Sequence, residues 1–483
     1  CRMEDDEWRD GRSPHPTITP PDVDTIVLPS YEEVAADKLA FVEMTRVIHR
    51  ETNPHCARRL VQKHGRETVV VNPPAMPLST EEMDAVYGLP FTRRPHPSYA
   101  PQTIPAYEVI KDSIQIVRGC FGGCTFCSLA VHQGRLIQSR SEESVLAEVD
   151  RVADKRRGAA SSTISDLGGP TANMYRMGCS RPEVERRCRR ASCLVPKMCK
   201  LLRTDHGPLI RLLNAARQWP GVNRVFVASG VRMDLARRSK AYMSHLARYH
   251  VGGHLKVAPE HVDPNVLRLM NKPPIECFEA FAREFAEVSH AAGRRQSLVL
   301  YFMAGHPGST LESMLDVALF LKRTGHAVEQ VQEFLPGPFD AATCMYYTGI
   351  DPATGREVYV ARGLHERRMQ KALLLYDRPE SYRLVREAIE ILGRTDLIGG
   401  GPECLIPTRE PLDAKNQQRR GPSRPRGETR DKPRGKSRDK NREKPQDETP
   451  SPKKPKTRTE RRNSKGKRIR LGSKKERRRN RPR

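Results

Sequence analysis

No uninterrupted apolar stretch in this 483-residue chain approaches the roughly 18 residues that a membrane-crossing helix needs, so no spanning segment is expected. A phosphate-cradling loop is also wanting. His306-Pro-Gly-Ser-Thr310 has neither the Walker spacing nor its lysine, and reads as a turn into a capped helix. No secretory signal is read in the sequence, which disfavours the oxidising compartment where twelve cysteines would build a disulfide framework. The expectation is a soluble, cytoplasmic protein that uses thiols to bind metal.

Acidic residues are scarce at one end. Between 411 and 483 there are 30 Lys and Arg against 9 Asp and Glu, which accounts for +21 of the net +27. The first 410 residues carry the remaining +6, so the extreme basicity says nothing about an active site. The same stretch has almost no apolar residues and no aromatic ones. It cannot bury enough surface to offset its ordering entropy, and is expected to be a disordered tail. Two roles stay open for it: a solvated, solubility-raising segment, or an electrostatic arm for RNA or ribosomes. Without rings to stack on bases, such nucleic-acid binding would be non-specific. At the other end, Cys1 is followed by the densely charged Arg2-Met-Glu-Asp-Asp-Glu-Trp-Arg9. A lipid-modified cysteine would be followed by a flexible tether, so a truncated reading frame is the expectation here.

Chemistry is concentrated in Arg118-Gly-Cys-Phe-Gly-Gly-Cys-Thr-Phe-Cys127, directly after the apolar Ile114-Gln-Ile-Val117. Cys120, Cys124 and Cys127 are spaced C-x3-C-x2-C on a glycine-rich loop that leaves an expected strand. Three close thiolates suit an iron–sulfur cluster with one iron free of protein ligands. Gly122 and Gly123 let the chain curl around it, and Phe121 and Phe126 are placed to shield it from water. A structural zinc site wants four ligands, and the nearest further donor is His132. A disulfide reading leaves one thiol over. Unligated structural cysteines remain the plain alternative.

This spacing, with an aromatic residue before the last cysteine, resembles the signature of the radical S-adenosylmethionine (radical SAM) superfamily. The resemblance implies a 4Fe–4S cluster on Cys120, Cys124 and Cys127 and SAM on the open iron. It also implies an electron donor, and a 5′-deoxyadenosyl radical made by reductive cleavage of SAM. Phe126 is the aromatic residue of that signature.

Along the chain, residues 1–105 read as the remnant and linker of an amino-terminal α/β domain. A helix is expected over 31–50 and a short strand over 67–72, before a proline-rich stretch. From 106 to 345, strands are expected at 113–117, 161–167, 224–229, 253–258, 297–303 and 329–334. Helices are expected at 234–249, at 263–290 with a break at Pro273-Pro274, and at 309–324. Ser139-x-x-Glu142 and Ser309-x-x-Glu312 read as capping boxes, and Gly325 as a stop. Such alternation is an α/β pattern of parallel βα units. Six strands are too few for a closed eight-stranded barrel, so a partial (β/α)6 TIM-like barrel is expected, as in radical SAM cores. A cysteine-rich insertion occupies about 175–200, and a carboxy-terminal extension 346–410.

Several strand ends carry polar or glycine-rich motifs. Leu167-Gly-Gly-Pro-Thr171 holds Gly168 and Gly169 where the superfamily has a Gly-Gly-Glu-like turn that approaches the SAM amino group. Pro170 replaces the usual Glu, so only backbone contacts carry over; a plain tight turn is the alternative. Ser229 and Arg232 end the next strand and are candidates for the SAM ribose or carboxylate. Glu260 and His261, in Lys256-Val-Ala-Pro-Glu-His261, are candidates for proton transfer. Each of these is equally compatible with a helix cap or a surface pair. Cys179, Cys188, Cys193 and Cys199, spaced C-x8-C-x4-C-x5-C, suggest a second Fe–S cluster or zinc, with free thiols as the alternative.

Further stretches resemble the YgiQ-type radical SAM proteins in particular. They are Glu51-Thr-Asn-Pro54, Val71-Asn-Pro-Pro74, Asp166-Leu-Gly-Gly-Pro-Thr-Ala-Asn-Met-Tyr175, Lys256-Val-Ala-Pro-Glu-His261, His306-Pro-Gly308, Cys344-Met-Tyr-Tyr-Thr-Gly349 and Arg362-Gly-Leu364. Family members carry a larger amino-terminal α/β domain, most of which this chain is expected to have lost, and no such basic tail. The leading expectation is therefore a radical SAM enzyme acting on a substrate that the resemblance does not name. The alternative is a non-catalytic Fe–S or zinc protein that binds RNA or ribosomes through the tail.

Overall fold

Apolar runs that alternate with amphipathic helices fold as parallel strands, each followed by a helix covering its outer face. The computed structural model describes residues 2–4, 24–154, 162–328 and 331–411; the basic tail lies outside the described residues. Ser113–Gln115 pairs in parallel with Asp166–Gly168, and Ser162–Ile164 with Val222–Val225. His254–Glu260 pairs in parallel with Ser297–Ala304, and that strand with Val331–Glu333. With Ser162–Ile164 and Asp166–Gly168 taken as one strand interrupted at Ser165, six strand positions follow in chain order. This is the partial barrel. Among the described residues no ladder joins Val222–Val225 to His254–Glu260, although Val227 N still donates to His250 O at 3.0 Å.

The covering helices bury one stripe each. In Ile275–Ala291, Phe278, Phe281 and Phe285 fall at the i, i+3, i+7 positions and are all buried against the sheet. Helix Glu142–Asp154 is tied to the first strand by Arg140, a fully buried residue. Its guanidinium donates to Gln115 O at 2.9 Å and pairs with Glu148. A buried arginine is tolerable only with such partners. No helix among the described residues is long and apolar enough to cross a membrane.

Several local expectations shift by a residue or a break. Ser139 lies in the strand Gln138–Ser139 and accepts from Arg176 N at 2.9 Å, so the following helix is capped by Ser141, whose Oγ accepts from Ser144 N at 3.0 Å. Likewise Thr310, not Ser309, caps Leu311–Thr324, in a reciprocal box with Ser313. Gly325 ends that helix as expected, in the left-handed conformation with φ +66°. The helix expected over 31–50 is split into Tyr31–Ala36 and Lys38–Arg50, because extended Asp37 accepts from Leu39 N at 2.9 Å and caps the second piece. The helix expected over 234–249 becomes Met233–Ala236, Lys240–His245 and a wide turn at Leu246–His250. Helix Gly207–Gln218, not foreseen in the sequence, buries Leu209, Leu212 and Leu213.

The flanking segments are docked on the barrel. Thr25–Val27, Arg59–His64 and Glu67–Val71 form a small sheet with Arg2–Glu4, and helix Lys38–Arg50 packs Phe41 against Tyr347, ring centroids 5.0 Å apart. The boundary expected at 345 falls inside helix Ala341–Thr348. Helix Leu364–Leu374 shares the barrel core, and its buried Gln370 accepts from Gly305 N and donates to Ser309 O, each at 2.9 Å.

The cysteine-rich insertion is closed at its base by Gly178–Cys179 pairing with Leu202–Arg203, and is held to the amino-terminal segment through Glu51. The Glu51 carboxylate meets Arg189 at 2.7 Å and Arg58 at 2.8 Å. Burial pushes its pKa up, but the hydrogen bonds from Arg58 and Arg189 outweigh this and hold it at about 2. Because the folded value is depressed, this stabilisation is complete above the unfolded pKa and is lost as pH falls from about 4.5 towards about 2. Glu51→Gln is expected to lower Tm at about pH 7, with the gap from wild type closing across that acid window. Thermal melts over the range check it; a gap that does not change with pH contradicts it.

Candidate active site

The loop after the first strand needs its glycines for close approach. Gly119 has φ +85°, and a Cβ there would collide with the Leu136 carbonyl; Gly123 has φ +67°, and a Cβ there would collide with the Ala191 carbonyl. Backbone from distant segments then holds the loop. Thr125 N donates to Met270 O at 3.1 Å and Thr125 Oγ1 to Leu269 O at 2.7 Å. Asn271 Nδ2 donates to Gly123 O at 2.6 Å, and Ala342 N to Thr125 O at 2.9 Å. From the insertion, buried Ser192 donates through Oγ to Gly122 O at 2.7 Å, and Cys193 N donates to Phe121 O at 3.1 Å.

So held, Cys120, Cys124 and Cys127 line one cavity of about 360 Å³. Burial pushes the Cys120 and Cys127 thiols up, the latter to about 11, and the neighbouring Cys124 acts in the same direction. Deprotonating Cys120 and Cys127 therefore calls for positive charge in the cavity, which a soft metal centre supplies. Arg232 Nη1 lies 3.7 Å from Cys124 Sγ and adds some of it. Among the described residues no three His, Cys, Asp or Glu donors close on a single point as one metal ion demands. Thiolates of a 4Fe–4S cluster sit on different irons and need not do so. Three soft thiol donors lining one cavity suit such a cluster.

Strand ends complete the cavity. Gly168 and Gly169, just before its lining residues, do not line it themselves and sit in close contact with neighbouring segments. A Cβ on Gly169 would stand 2.7 Å from Val117 O, and one on Gly168 would collide with Ser229 Oγ. Pro170 and Thr171, the next residues, line the cavity, as do Ser229 and Arg232. Ser229 is held by its backbone N–H, which donates to Asp166 Oδ1 at 3.1 Å; Ala228 N donates to the same oxygen at 2.7 Å. Arg232 is fixed twice. Its guanidinium makes a two-point pair with Asp234, at 3.1 and 2.7 Å, and its backbone is held by fully buried Asn173, which accepts from Arg232 N at 2.9 Å and donates to Arg232 O at 3.0 Å.

Glu260 and His261 are adjacent in sequence but face different surroundings. Glu260 lines the cavity in a strained left-handed conformation, φ +70°, with Oε1 3.6 Å from Lys272 Nζ and Oε2 buried without a hydrogen-bond partner. Burial raises its pKa, against the pull of Lys272. His261 does not line the cavity. It accepts at Nδ1 from Asp263 N at 3.0 Å, and burial lowers its pKa to about 3, which keeps it neutral. Phe126 lines the cavity and sets its ring edge-on to His306 at 5.8 Å. Sequence reasoning did not single out Asp166, Asn173, Asp234, Lys256, Lys272 or Tyr301. Asp166 and Asn173 stand within the quoted Asp166–Tyr175 stretch, Lys256 opens Lys256-Val-Ala-Pro-Glu-His261 and Asp234 follows Arg232 by two residues, so these four carried a local signal. Of the second cysteine group, Cys179 Sγ points to Arg181 O at 3.4 Å, Cys188 Sγ lies 3.6 Å from Arg135 Nη2, and Cys199 N donates to Cys193 O at 2.8 Å.

Comparison with known proteins gives three family models in succession: Radical SAM N-terminal at residues 12–113, Radical SAM superfamily at 114–321, and a domain of unknown function (DUF3362) at 329–483. A UPF0313 protein of Bradyrhizobium diazoefficiens is 48% identical over 411 residues, 84% of this chain and 61% of its own length. One from Rhodopseudomonas palustris is 49% identical over 392 residues, 80% of this chain and 58% of its own. The UPF0313 protein YgiQ of Salmonella typhimurium is 47% identical over 402 residues, 82% of this chain and 56% of its own. The chain therefore spans about half to three-fifths of the length of the curated relatives it matches. Solved structures overlap more distantly. The radical SAM methyltransferase TsrM from Kitasatospora setae, with cobalamin and a [4Fe-4S] cluster bound, is 16% identical with a TM-score of 0.35, over 59% of this chain and 48% of its own. Coproporphyrinogen III oxidase (HemN) from Escherichia coli, a radical SAM enzyme, is 16% identical with a TM-score of 0.30, over 58% and 51%. By its matches to the radical SAM family models and to the UPF0313 relatives, the chain belongs to the YgiQ-type radical SAM proteins.

Proposed function

We propose that this chain carries the catalytic core of a radical SAM enzyme, with Cys120, Cys124 and Cys127 as cluster ligands and the adjoining cavity as the SAM site. The observation that carries this reading is that all three thiols and the polar strand ends open onto one cavity. When bound and reduced by an external one-electron donor, the cluster and SAM together supply a 5′-deoxyadenosyl radical for hydrogen abstraction. The chain's own residues bind and orient. Pro170 and Thr171 follow the Gly168-Gly169 turn, whose close packing leaves backbone rather than side chains to meet the SAM amino group. Ser229 and Arg232 are the polar groups available to its ribose and carboxylate, and Phe126 keeps water from the cluster side. Glu260 is placed to accept a hydrogen bond at Oε2 from a hydroxyl or ammonium of SAM or substrate, because the residue lines the cavity and that oxygen is buried and unpartnered. Reduced thiols suit a cytoplasmic location.

The deciding experiment is anaerobic reconstitution with iron and sulfide, reduction, addition of SAM and assay of 5′-deoxyadenosine. Joint replacement Cys120→Ala, Cys124→Ala, Cys127→Ala should abolish the product; a loaded, reduced wild type that never makes it sinks the reading. Glu260→Gln keeps the volume and removes the charge. It should reduce product formation about tenfold to a hundredfold, equivalent to the ~1.5–3 kcal/mol of a hydrogen bond to a charged group. Unchanged turnover removes Glu260 from the site. Ser192 Oγ also accepts from Leu194 N at 3.0 Å and Val195 N at 3.1 Å, so Ser192→Ala leaves three backbone groups short of a partner. It should destabilise the chain by ~1–3 kcal/mol and lower the 5′-deoxyadenosine yield. If Tm and yield both match wild type, the insertion does not brace the loop.

A further inference from the structure

Along a barrel strand, successive residues face the interior and the covering helices in turn. In His254–Glu260, Leu255 and Val257 belong to the buried core, while Lys256, Ala258 and Glu260 line the cavity that holds the three cluster-loop thiols. The neighbouring strand Ser297–Ala304 adds Tyr301 in the same way, between buried Leu300 and Phe302. Lys256 pairs with Val299 and Val257 with Leu300, so Tyr301 stands two positions beyond the partner of Lys256 on the same face. Interior positions of a small barrel are ordinarily filled by packed apolar side chains, and an ammonium group there is out of pattern.

The other cations of the cavity are matched by carboxylates. Arg232 pairs with Asp234 at 2.7 Å and Lys272 with Glu260 at 3.6 Å. Lys256 makes no hydrogen bond or ion pair among the described residues. Asp166 acts on it electrostatically from beyond ion-pair distance, and the Asp166 Oδ1 atom already accepts from Ala228 N at 2.7 Å and Ser229 N at 3.1 Å. Lys256 is exposed, so water solvates its ammonium as the cavity stands. A molecule that fills the cavity displaces this water, and a dehydrated cation without a counter-ion is costly. Arg232 lies at the thiol end, 3.7 Å from Cys124 Sγ, where it is the cation available to the SAM carboxylate. Lys256 precedes Glu260 by four residues, roughly 13 Å at the usual rise of a strand, and so faces a different part of the cavity.

We propose that the substrate of this site is an acid, and that Lys256 holds its carboxylate or phosphate group at the inner end of the cavity, with Tyr301 forming the wall beside it. This rests on the SAM reading, which gives the thiol end to SAM and leaves the inner end to substrate. A neutral substrate would strip water from the ammonium and return nothing for it; an anion replaces the lost solvation with a charge-assisted hydrogen bond.

Isothermal titration of the anaerobically reconstituted full chain, with and without SAM, tests this with two probes: inorganic phosphate for a phosphate ester and succinate for a carboxylate. At least one should bind the wild type, and which one does identifies the acid group. Lys256→Met should weaken that binding about tenfold to a hundredfold, as loss of a hydrogen bond to a charged group predicts, and Lys256→Arg should retain most of it. A second measurement needs no variant: the bound probe should shield Lys256 of the wild type from acetylation, read by peptide mass. The proposal is overturned if neither anion binds the wild type, if a folded Met variant binds as tightly, or if the probe leaves acetylation of Lys256 unchanged. It is also overturned if the Met variant loses affinity for SAM as far as for the anion, which would assign the lysine to SAM. Failure of the SAM reading looks different: SAM does not bind and 5′-deoxyadenosine is never formed by any variant, while the titrations without SAM still report on Lys256.

Discussion

Three thiols on a loop of alternating glycine and aromatic residues act together only if the loop's backbone is held from outside. Residues 119–127 make little regular structure of their own, and the hydrogen bonds that fix them come from Ser192 and Cys193, from Leu269, Met270 and Asn271, and from Ala342. Each such bond contributes only about 0.5–1.5 kcal/mol, but an unmade one in a buried loop costs more. The barrel, the insertion and the segment after the sixth strand therefore converge on one task. They preset where three sulfurs stand before any metal arrives.

Charge follows from that geometry. Thiols buried beside one another resist ionisation, and the cavity answers with Arg232, anchored by Asp234 and Asn173, and Lys272, which leans on Glu260. A carboxylate oxygen left without a partner at this depth is costly, and Glu260 also adopts a backbone conformation that a non-glycine residue avoids. Both costs make sense when a ligand supplies the missing donor. Arg135 stands to Cys188 as Arg232 does to Cys124, a guanidinium hydrogen-bonded to sulfur at 3.6 and 3.7 Å respectively. The insertion meets the cluster loop where Cys193 N donates to Phe121 O and Ser192 Oγ to Gly122 O.

Much of the barrel could be read in advance because its signal is local. Alternating apolar runs, Gly325 after a helical repeat, and Pro273-Pro274 between Pro264–Leu269 and Ile275–Ala291 all act within a few residues of themselves. Misplaced caps at Ser139 and Ser309 mark the limit of that reasoning. A serine three residues before a glutamate is a cap only if its oxygen faces the N3 amide. Strand pairing took Ser139 instead, and Thr310 held the geometry that Ser309 lacked. The docked carboxy-terminal helices were hidden for a related reason, since Gln370 finds its partners at Gly305 and Ser309, some sixty residues earlier.

From sequence alone came the thiol loop, the chemistry its donors suit, the order of strands and the family resemblance, because spacing within one segment carries each of these. Only the tertiary structure decided which strand-end groups share the cavity. It set Glu260 into the cavity and turned its neighbour His261 away, joined Lys272 to the first and brought Asn173 under Arg232. It also turned Cys179 to Arg181 O and Cys188 to Arg135, and seated the insertion on the cluster loop. These are contacts between segments far apart in the chain. Their specificity lies in side-chain direction and backbone docking, which residue spacing does not record.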